Sequence, residues 1–239
     1  MKIIVTGASG FVGTEIVRQC LNNPNINSVI ALARKPIKAP SDLDVEADAS
    51  KLQSLTLENY GSYSEEVRRH FSSADGCIWT VAITPTKSTT HDFEEVRRVC
   101  QDYPLAALEA IRAATPPGKT RPFRFIYMSG MAAERDQTTT PKWKPEYCLM
   151  RGETENRALA LAKETNGRIE VCAVKPGLIT SSGFSLRNVG VNTIGYLRSI
   201  PTIPVSSIVV AMLDQISHGF EKEPLLNDDL MQIATRSSI

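Results

Sequence analysis

Three glycines at even spacing, Gly7, Gly10 and Gly13, stand between a short apolar run, Ile3-Ile4-Val5, and an amphipathic stretch from Thr14 to Leu21. Strand, glycine turn and helix in that order form a phosphate cradle: one glycine permits the tight turn, one lets backbone approach a pyrophosphate, and one lets helix and strand pack closely. The amides that open the helix then face the phosphates, at the positive end of the helix dipole. Gly7, Ser9, Gly10, Phe11, Val12 and Gly13 are therefore the expected contacts to a dinucleotide. A turn made for packing alone is the alternative. The second apolar run, Val29 to Ala33, ends in Arg34-Lys35-Pro36. Residues there meet the adenosine ribose, where an acid suits a free 2′-hydroxyl and a base suits a 2′-phosphate. Charge-assisted bonds to a phosphate are worth roughly 1.5–3 kcal/mol each. Arg34 and Lys35 thus favour NADP(H) over NAD(H), against the alternative of two solvated charges. Asp48, in Val-Glu-Ala-Asp-Ala, either accepts from the adenine amino group or caps the next helix.

These residues need a scaffold that brings loops to one edge. Strand-like runs are expected at 2–6, 28–33, 43–46, 76–83, 123–129 and 169–175, and helices at 11–22, 64–73, 92–114, 147–166 and 206–218. Such alternation predicts an α/β fold, a doubly wound parallel sheet with helices on both faces. Ser64 before Glu65 and Glu66 reads as a helix cap with acids in the first turn. Gly167 reads as a helix stop. Asn227 before Asp228 and Asp229 reads as the cap of a short last helix. Pro116-Pro117-Gly118 and the polar stretch 134–146 read as loops. No repeat or interdomain linker is visible, so residues 1–239 are expected to form one domain. Ser129 ends the fifth strand, at the carboxyl edge where ligands bind in such sheets. Tyr127 shares its side of that strand and reads as core.

Composition excludes several classes. Lys+Arg number 27 and Asp+Glu 26, so no nucleic-acid-tracking surface is indicated. No apolar run approaches membrane-spanning length. A strand beginning at residue 2 leaves no expected signal or transit peptide. The five cysteines (20, 77, 100, 148 and 172) contain no CxxC pair, which suits reduced thiols in a cytoplasmic protein. His70, His91 and His218 are scattered, so no metal site is expected. No GxSxG nucleophile elbow is present.

Taken together, the Gly7-x-x-Gly10-x-x-Gly13 spacing, Ser129 in Phe-Ile-Tyr-Met-Ser-Gly, Tyr147 opening a helix and Lys175-Pro176-Gly177 after the sixth strand resemble the short-chain dehydrogenase/reductase superfamily, in its extended or atypical NAD(P)-binding Rossmann-type branch. The resemblance covers nearly the whole chain. It implies hydride transfer at a carbonyl or conjugated carbon. It makes Tyr147 the residue that gives or takes the proton and Ser129 the residue that holds the substrate oxygen. It places Pro176 beside the cofactor. The family's lysine, four residues after the tyrosine, binds nicotinamide ribose and lowers the tyrosine pKa. Here that position holds Arg151. Four residues apart on a helix share a face, so Arg151 can stand beside Tyr147 and contact the cofactor. Its fixed charge can favour a tyrosinate, but it cannot relay a proton.

The stretch after Pro176 is shorter than the C-terminal lobe of typical sugar epimerases in that branch, so a nucleotide-sugar substrate is not expected. Residues 181–239 are expected to contribute a small substrate cover. Phe184, Arg187 and Tyr196 are its candidate substrate contacts, Arg187 facing either an anionic substrate group or the pyrophosphate. The expected function is an NADP(H)-dependent oxidoreductase acting on a small, partly apolar carbonyl compound or alcohol. Alternatives are a non-redox isomerase, cyclase or dehydratase that keeps the dinucleotide, and a nucleotide-sensing regulator. The oligomeric state is left open.

Overall fold

In a computed structural model, residues 1–181 and 200–237 are described. The strands are β1 (Lys2–Thr6), β2 (Ser28–Ala33), β3 (Leu52–Thr56), β4 (Gly76–Trp79), β5 (Phe123–Met128), β6 (Ile169–Lys175), β7 (Leu178–Thr180), β8 (Thr202–Pro204) and β9 (Leu225–Leu226). The helices are α1 (Phe11–Asn22), α2 (Glu65–Ser73), α3 (Phe93–Arg97), α4 (Tyr103–Ala114), α5 (Pro145–Lys163), α6 (Val205–His218) and α7 (Asn227–Ser237). A 7-stranded parallel sheet runs in the order β3-β2-β1-β4-β5-β6-β9. This is the expected doubly wound Rossmann-type architecture. Its carboxyl edge brings together the loops after β1, β4, β5 and β6.

Alternation along each strand divides the core between two faces. Ile3, Val5, Val29, Ala31, Ile126, Cys172 and Val174 face α1, α6 and α7. Ile4, Ile30, Leu32, Phe123, Phe125, Tyr127, Ile169 and Val171 face α2, α4 and α5. Strands buried on both faces must be apolar throughout, which is why β1 and β2 were visible as continuous runs. Ser129 follows Tyr127 by two positions and belongs to the α5 side.

Several boundaries differ from expectation for identifiable reasons. The third strand lies at 52–56, not 43–46. Val45 is fully exposed, whereas Leu52 to Thr56 pair in parallel with Val29 to Ala33. Polar Gln53, Ser54 and Thr56 are tolerated there because β3 is an edge. Asp48 therefore precedes this strand instead of following it. The expected helix 92–114 is continuous but changes winding: residues Arg98–Asp102 form a π-helical segment before Pro104 in the first turn of α4. Proline lacks the N–H that a regular ladder would use, and a wider turn accommodates that loss. The ladder of β4 stops at Trp79, and α5 starts at Pro145. Ser64 caps α2 as expected, its Oγ accepting from Val67 N–H at 3.4 Å. Gly167 has φ +80 beyond α5, a left-handed turn that suits glycine. Asn227 opens α7, but its side chain accepts from Gly177 N–H at 3.1 Å.

Part of the C-terminal stretch belongs to the core and the sheet. Ile208, Val209, Met212, Leu230 and Ile233 are buried in the core, and β9 extends the sheet. β7 and β8 pair in parallel, Leu178 to Thr180 beside Thr202 to Pro204. Phe184, Arg187 and Tyr196 lie outside the described residues.

Candidate functional site

The glycine turn is built from backbone. Gly7 follows β1 with φ +68, and a Cβ there would lie 2.6 Å from Thr80 Oγ1. Thr80 is fixed beneath it, donating to the Thr6 carbonyl at 2.6 Å while its N–H reaches Thr6 Oγ1 at 3.2 Å. A Cβ on Gly13 would lie 2.2 Å from the Gly7 carbonyl oxygen, so Gly13 is required for packing of α1 on β1. Gly10 differs. A Cβ there would meet only the Gly7 oxygen at 3.2 Å, and the outward side is open. No side chain caps α1 at Gly10. The first-turn amides, including those of Phe11 and Val12, thus present donors at an uncovered, positive helix end. Ser9 and Phe11 flank it and are exposed. Open space over Gly10, uncapped amides and steric closure at Gly7 and Gly13 fit a dinucleotide pyrophosphate.

The adenosine side follows from strand order. Val5 and Thr6 pair with Ala31 and Leu32, so Arg34 and Lys35 emerge beside the glycine turn, both exposed. Tyr60 underlies this corner. Its hydroxyl donates to the Leu32 carbonyl at 3.1 Å, and burial raises its pKa. Nothing in the local sequence marked Tyr60, which reaches the turn only through the fold. Asp48 takes up its capping alternative: Oδ1 accepts from Ser50 N–H at 2.9 Å and from Ser50 Oγ at 2.6 Å. Those bonds from Ser50 hold its carboxyl below the usual range. The side chain remains exposed.

On the α5 side, the structure brings Ser129, Glu155, Arg135 and Lys175 together. Ser129 is half-buried, and its hydroxyl donates to Glu155 Oε1. Glu155 is 1% exposed. Its Oε2 accepts from Arg135 Nε at 2.6 Å and Lys175 Nζ at 3.3 Å. Arg135 also grips Glu223 through Nη1 at 2.9 Å and Nη2 at 2.5 Å. Burial pulls the Arg135 guanidinium down, and the two carboxylates outweigh it, so its pKa is raised. The loop carrying these groups sits directly on α5: a Cβ on Gly152 would lie 1.6 Å from the Glu134 carbonyl oxygen. Asn156 Nδ2 holds the Arg135 carbonyl at 2.8 Å. Pro176 is buried, and its carbonyl accepts from Met131 N–H at 3.1 Å, tying the loops after β5 and β6 together. The only sequence signal for Glu155 was its position, one helix turn past Arg151 on the same face.

Tyr147 and Arg151 form a second cluster. Tyr147 donates to the Ile83 carbonyl at 3.0 Å, and no hydrogen bond links it to Ser129. Burial pushes its phenol up to about 12, with Arg151 pulling the other way. Arg151 is 3% exposed, which excludes a solvated helix charge. Nη2 donates to the Met128 carbonyl at 2.5 Å, and the guanidinium lies 4.7 Å from the Tyr127 ring centre. Nη1 is buried without a protein partner. Burial pulls the guanidinium down, but the Tyr127 and Tyr147 phenols more than offset this and keep it raised. Tyr127 is core as expected, donating to the Cys100 carbonyl at 2.8 Å. That carbonyl belongs to the π-helical segment, which also places Cys100 Sγ 3.3 Å from Ile83 N.

Other features carry no comparable chemistry. All five cysteines are unpaired and buried. Among the described residues no group of His, Cys, Asp and Glu is placed to hold a metal, and no helix is long and apolar enough to cross a membrane. A groove of about 440 Å³ lies between α4 and α5, lined by Leu105, Ala106, Ala160 and Leu161. It includes none of the residues above.

Comparison with known proteins places this geometry in context. The profile of the NAD(P)H-binding family matches residues 7–216. Leucinostatins biosynthesis cluster protein T of Purpureocillium lilacinum is 29% identical over 129 residues, 54% of this chain and 42% of that protein. The chain thus spans less than half the length of the curated relatives it first matches. Among solved structures, the dTDP-glucose 4,6-dehydratase DesIV from Streptomyces venezuelae, with NAD bound, has a TM-score of 0.67 at 14% identity, covering 99% of this chain and 80% of that one. The PhqB reductase domain from Penicillium fellutanum has a TM-score of 0.66 at 16% identity, covering 97% and 68%.

Proposed function

The chain belongs to the NAD(P)H-binding family, on a Rossmann scaffold of the extended or atypical short-chain dehydrogenase/reductase type, and on that premise we propose that it is an NADP(H)-dependent oxidoreductase acting on a small, partly apolar carbonyl compound or alcohol. The observation that carries this reading is the open, uncapped turn at Gly10 on the same sheet edge as the loop that begins at Ser129. When bound, the nicotinamide supplies or accepts a hydride. In this reading the amides from Ser9 to Gly13 hold the pyrophosphate. Arg34 and Lys35 bind the ribose 2′-phosphate, and Asp48 accepts from the adenine amino group while it caps. Pro176 lines the nicotinamide side. Phe184, Arg187 and Tyr196 contact the substrate.

Tyr147 is the proton donor. The phenol is protonated at neutral pH, and burial, which pushes it up to about 12, makes it a weaker acid than a free tyrosine; the positive charge of Arg151 pulls the other way and favours release of the proton to substrate. To act, it exchanges the Ile83 carbonyl for the substrate oxygen. Ser129 contacts the substrate at that same oxygen, which it can hold once the oxygen carries a proton, as in the alcohol. Arg151 fixes the start of α5 against β5 and sets the field around the phenol. The unpaired thiols suit a cytoplasmic location.

A specific observation favours a second reading. Arg151 is buried, bonded to Met128 and seated on Tyr127, and it cannot pass a proton onward. A non-redox isomerase, cyclase or dehydratase with retained nucleotide needs no such relay. The test is NADPH carrying deuterium at nicotinamide C4, incubated with a panel of apolar ketones and aldehydes. Stoichiometric label in the alcohol product supports the oxidoreductase. Product formed without label transfer promotes the second reading.

A further inference from the structure

A serine hydroxyl has one proton to give and two lone pairs to offer. In this protein the Ser129 proton is given inward, to Glu155 Oε1. Glu155 is buried on α5, and Arg135 Nε at 2.6 Å and Lys175 Nζ at 3.3 Å face its other oxygen. Neither cation is free to leave. Arg135 is held by Glu223, and Lys175 Nζ donates to the Ala133 carbonyl at 2.6 Å. Flanked this way, the carboxylate accepts and does not donate.

We infer that Glu155 is a positioning residue that commits the Ser129 proton to the interior, leaving Ser129 as a hydrogen-bond acceptor at the sheet edge, so that the site selects a ligand hydroxyl over the matching carbonyl. This rests on the reading of Ser129 as a substrate contact and gives that contact a polarity. A serine that donates would grip a ketone oxygen. A serine that accepts grips the proton of an alcohol and leaves the ketone without that bond.

Two measurements test it. Proton NMR at low temperature, without ligand, should show a slowly exchanging hydroxyl proton that disappears in Ser129→Ala and shifts in Glu155→Gln. Its absence from the wild type overturns the inference. Saturation-transfer NMR with cyclohexanol and cyclohexanone, each with NADP⁺ present, then reads polarity. The wild type should hold the alcohol about tenfold more tightly, the scale of one net hydrogen bond. In Glu155→Gln the side-chain amide donates to the serine oxygen, the serine proton turns outward, and the ratio should fall to unity or invert. Glu155→Asp keeps the charge but withdraws it by a methylene, and should lower the ratio if Glu155→Gln does not fold. An unchanged ratio in the folded variant, or a wild type that prefers the ketone, overturns the inference. If neither probe binds the wild type, ligand selection falls together with the substrate reading, and the hydroxyl proton alone decides the orientation of Ser129.

Discussion

The glycine turn at residues 7–13 and the α5 face carrying Tyr147, Arg151 and Glu155 are built by different means. The turn uses backbone. Its donors are amides, its shape comes from missing side chains, and all of its donors lie within one short stretch of chain. The α5 face uses side chains whose partners come from far along the chain. Tyr147 is bonded 64 residues away, Ser129 meets Glu155 across 26, and Arg135 meets Glu223 across 88. A backbone-built site withstands most substitutions but not an added Cβ. A side-chain-built site can be changed one atom at a time.

That contrast gives its largest effects at the turn. Gly10→Val fills the open space, so NADPH affinity should fall at least about 100-fold, while stability changes by less than about 1 kcal/mol. Gly13→Val places atoms against the Gly7 carbonyl and should instead cost roughly 3 kcal/mol or more of stability. Calorimetric titration and denaturant unfolding separate the two. Undiminished NADPH binding by Gly10→Val would place the cradle elsewhere.

At the α5 face, Tyr147→Phe removes one hydroxyl. Turnover should drop at least about 10²-fold with NADPH affinity nearly unchanged. Steady-state kinetics beside a binding titration check this, and retained turnover would move the acid to another residue. Arg34→Ala tests the adenosine end. It should erase a preference for NADPH over NADH of about 10–100-fold, the range of one charge-assisted bond. Equal affinities in the unaltered protein would sink the assignment.

Smaller effects sharpen the α5 face further. Arg151→Lys keeps the charge but loses the planar fork over Tyr127, at about 1 kcal/mol of stability. If hydride transfer is the reaction, activity should persist or improve. Finally, the Tyr147 phenol titrates near 12, above the ordinary tyrosine value. The folded state therefore holds this proton more tightly than the unfolded chain. The associated stability is complete below pH about 10 and is lost as pH climbs toward 12. Alkaline difference absorbance between wild type and Tyr147→Phe should show no tyrosinate from this residue below pH 10. A midpoint near 10 would contradict the burial that raises it.

Legibility followed the same division. Gly7, Gly10 and Gly13, the apolar runs of β1 and β2, and the cap at Ser64 are local signals that act within a few residues. They were readable because their physics is local. The third strand was misplaced because an edge strand tolerates polar residues, which removed the apolar pattern on which recognition depends. Ser129 and Tyr147 were visible by type and by place on an element, but their bonding partners were not. Arg135, Gly152, Tyr60 and the Ile83 carbonyl carried no spacing that sets them apart from ordinary charged, small, aromatic or apolar residues, and Glu155 carried only its place one helix turn past Arg151.

By itself, the sequence determined the doubly wound parallel sheet, the phosphate-type turn after β1, the basic pair after β2 and the arginine at position 151. Periodicity, glycine sterics and charge require no knowledge of distant chain. Only the tertiary structure decided that Arg151 is buried on Tyr127, that Tyr147 bonds to a backbone carbonyl, and that the Ser129 proton points to a carboxylate. A side chain's hydrogen bonds are settled by whichever groups the fold delivers within about 3 Å, and those groups came from β5, the loop after β4 and α5.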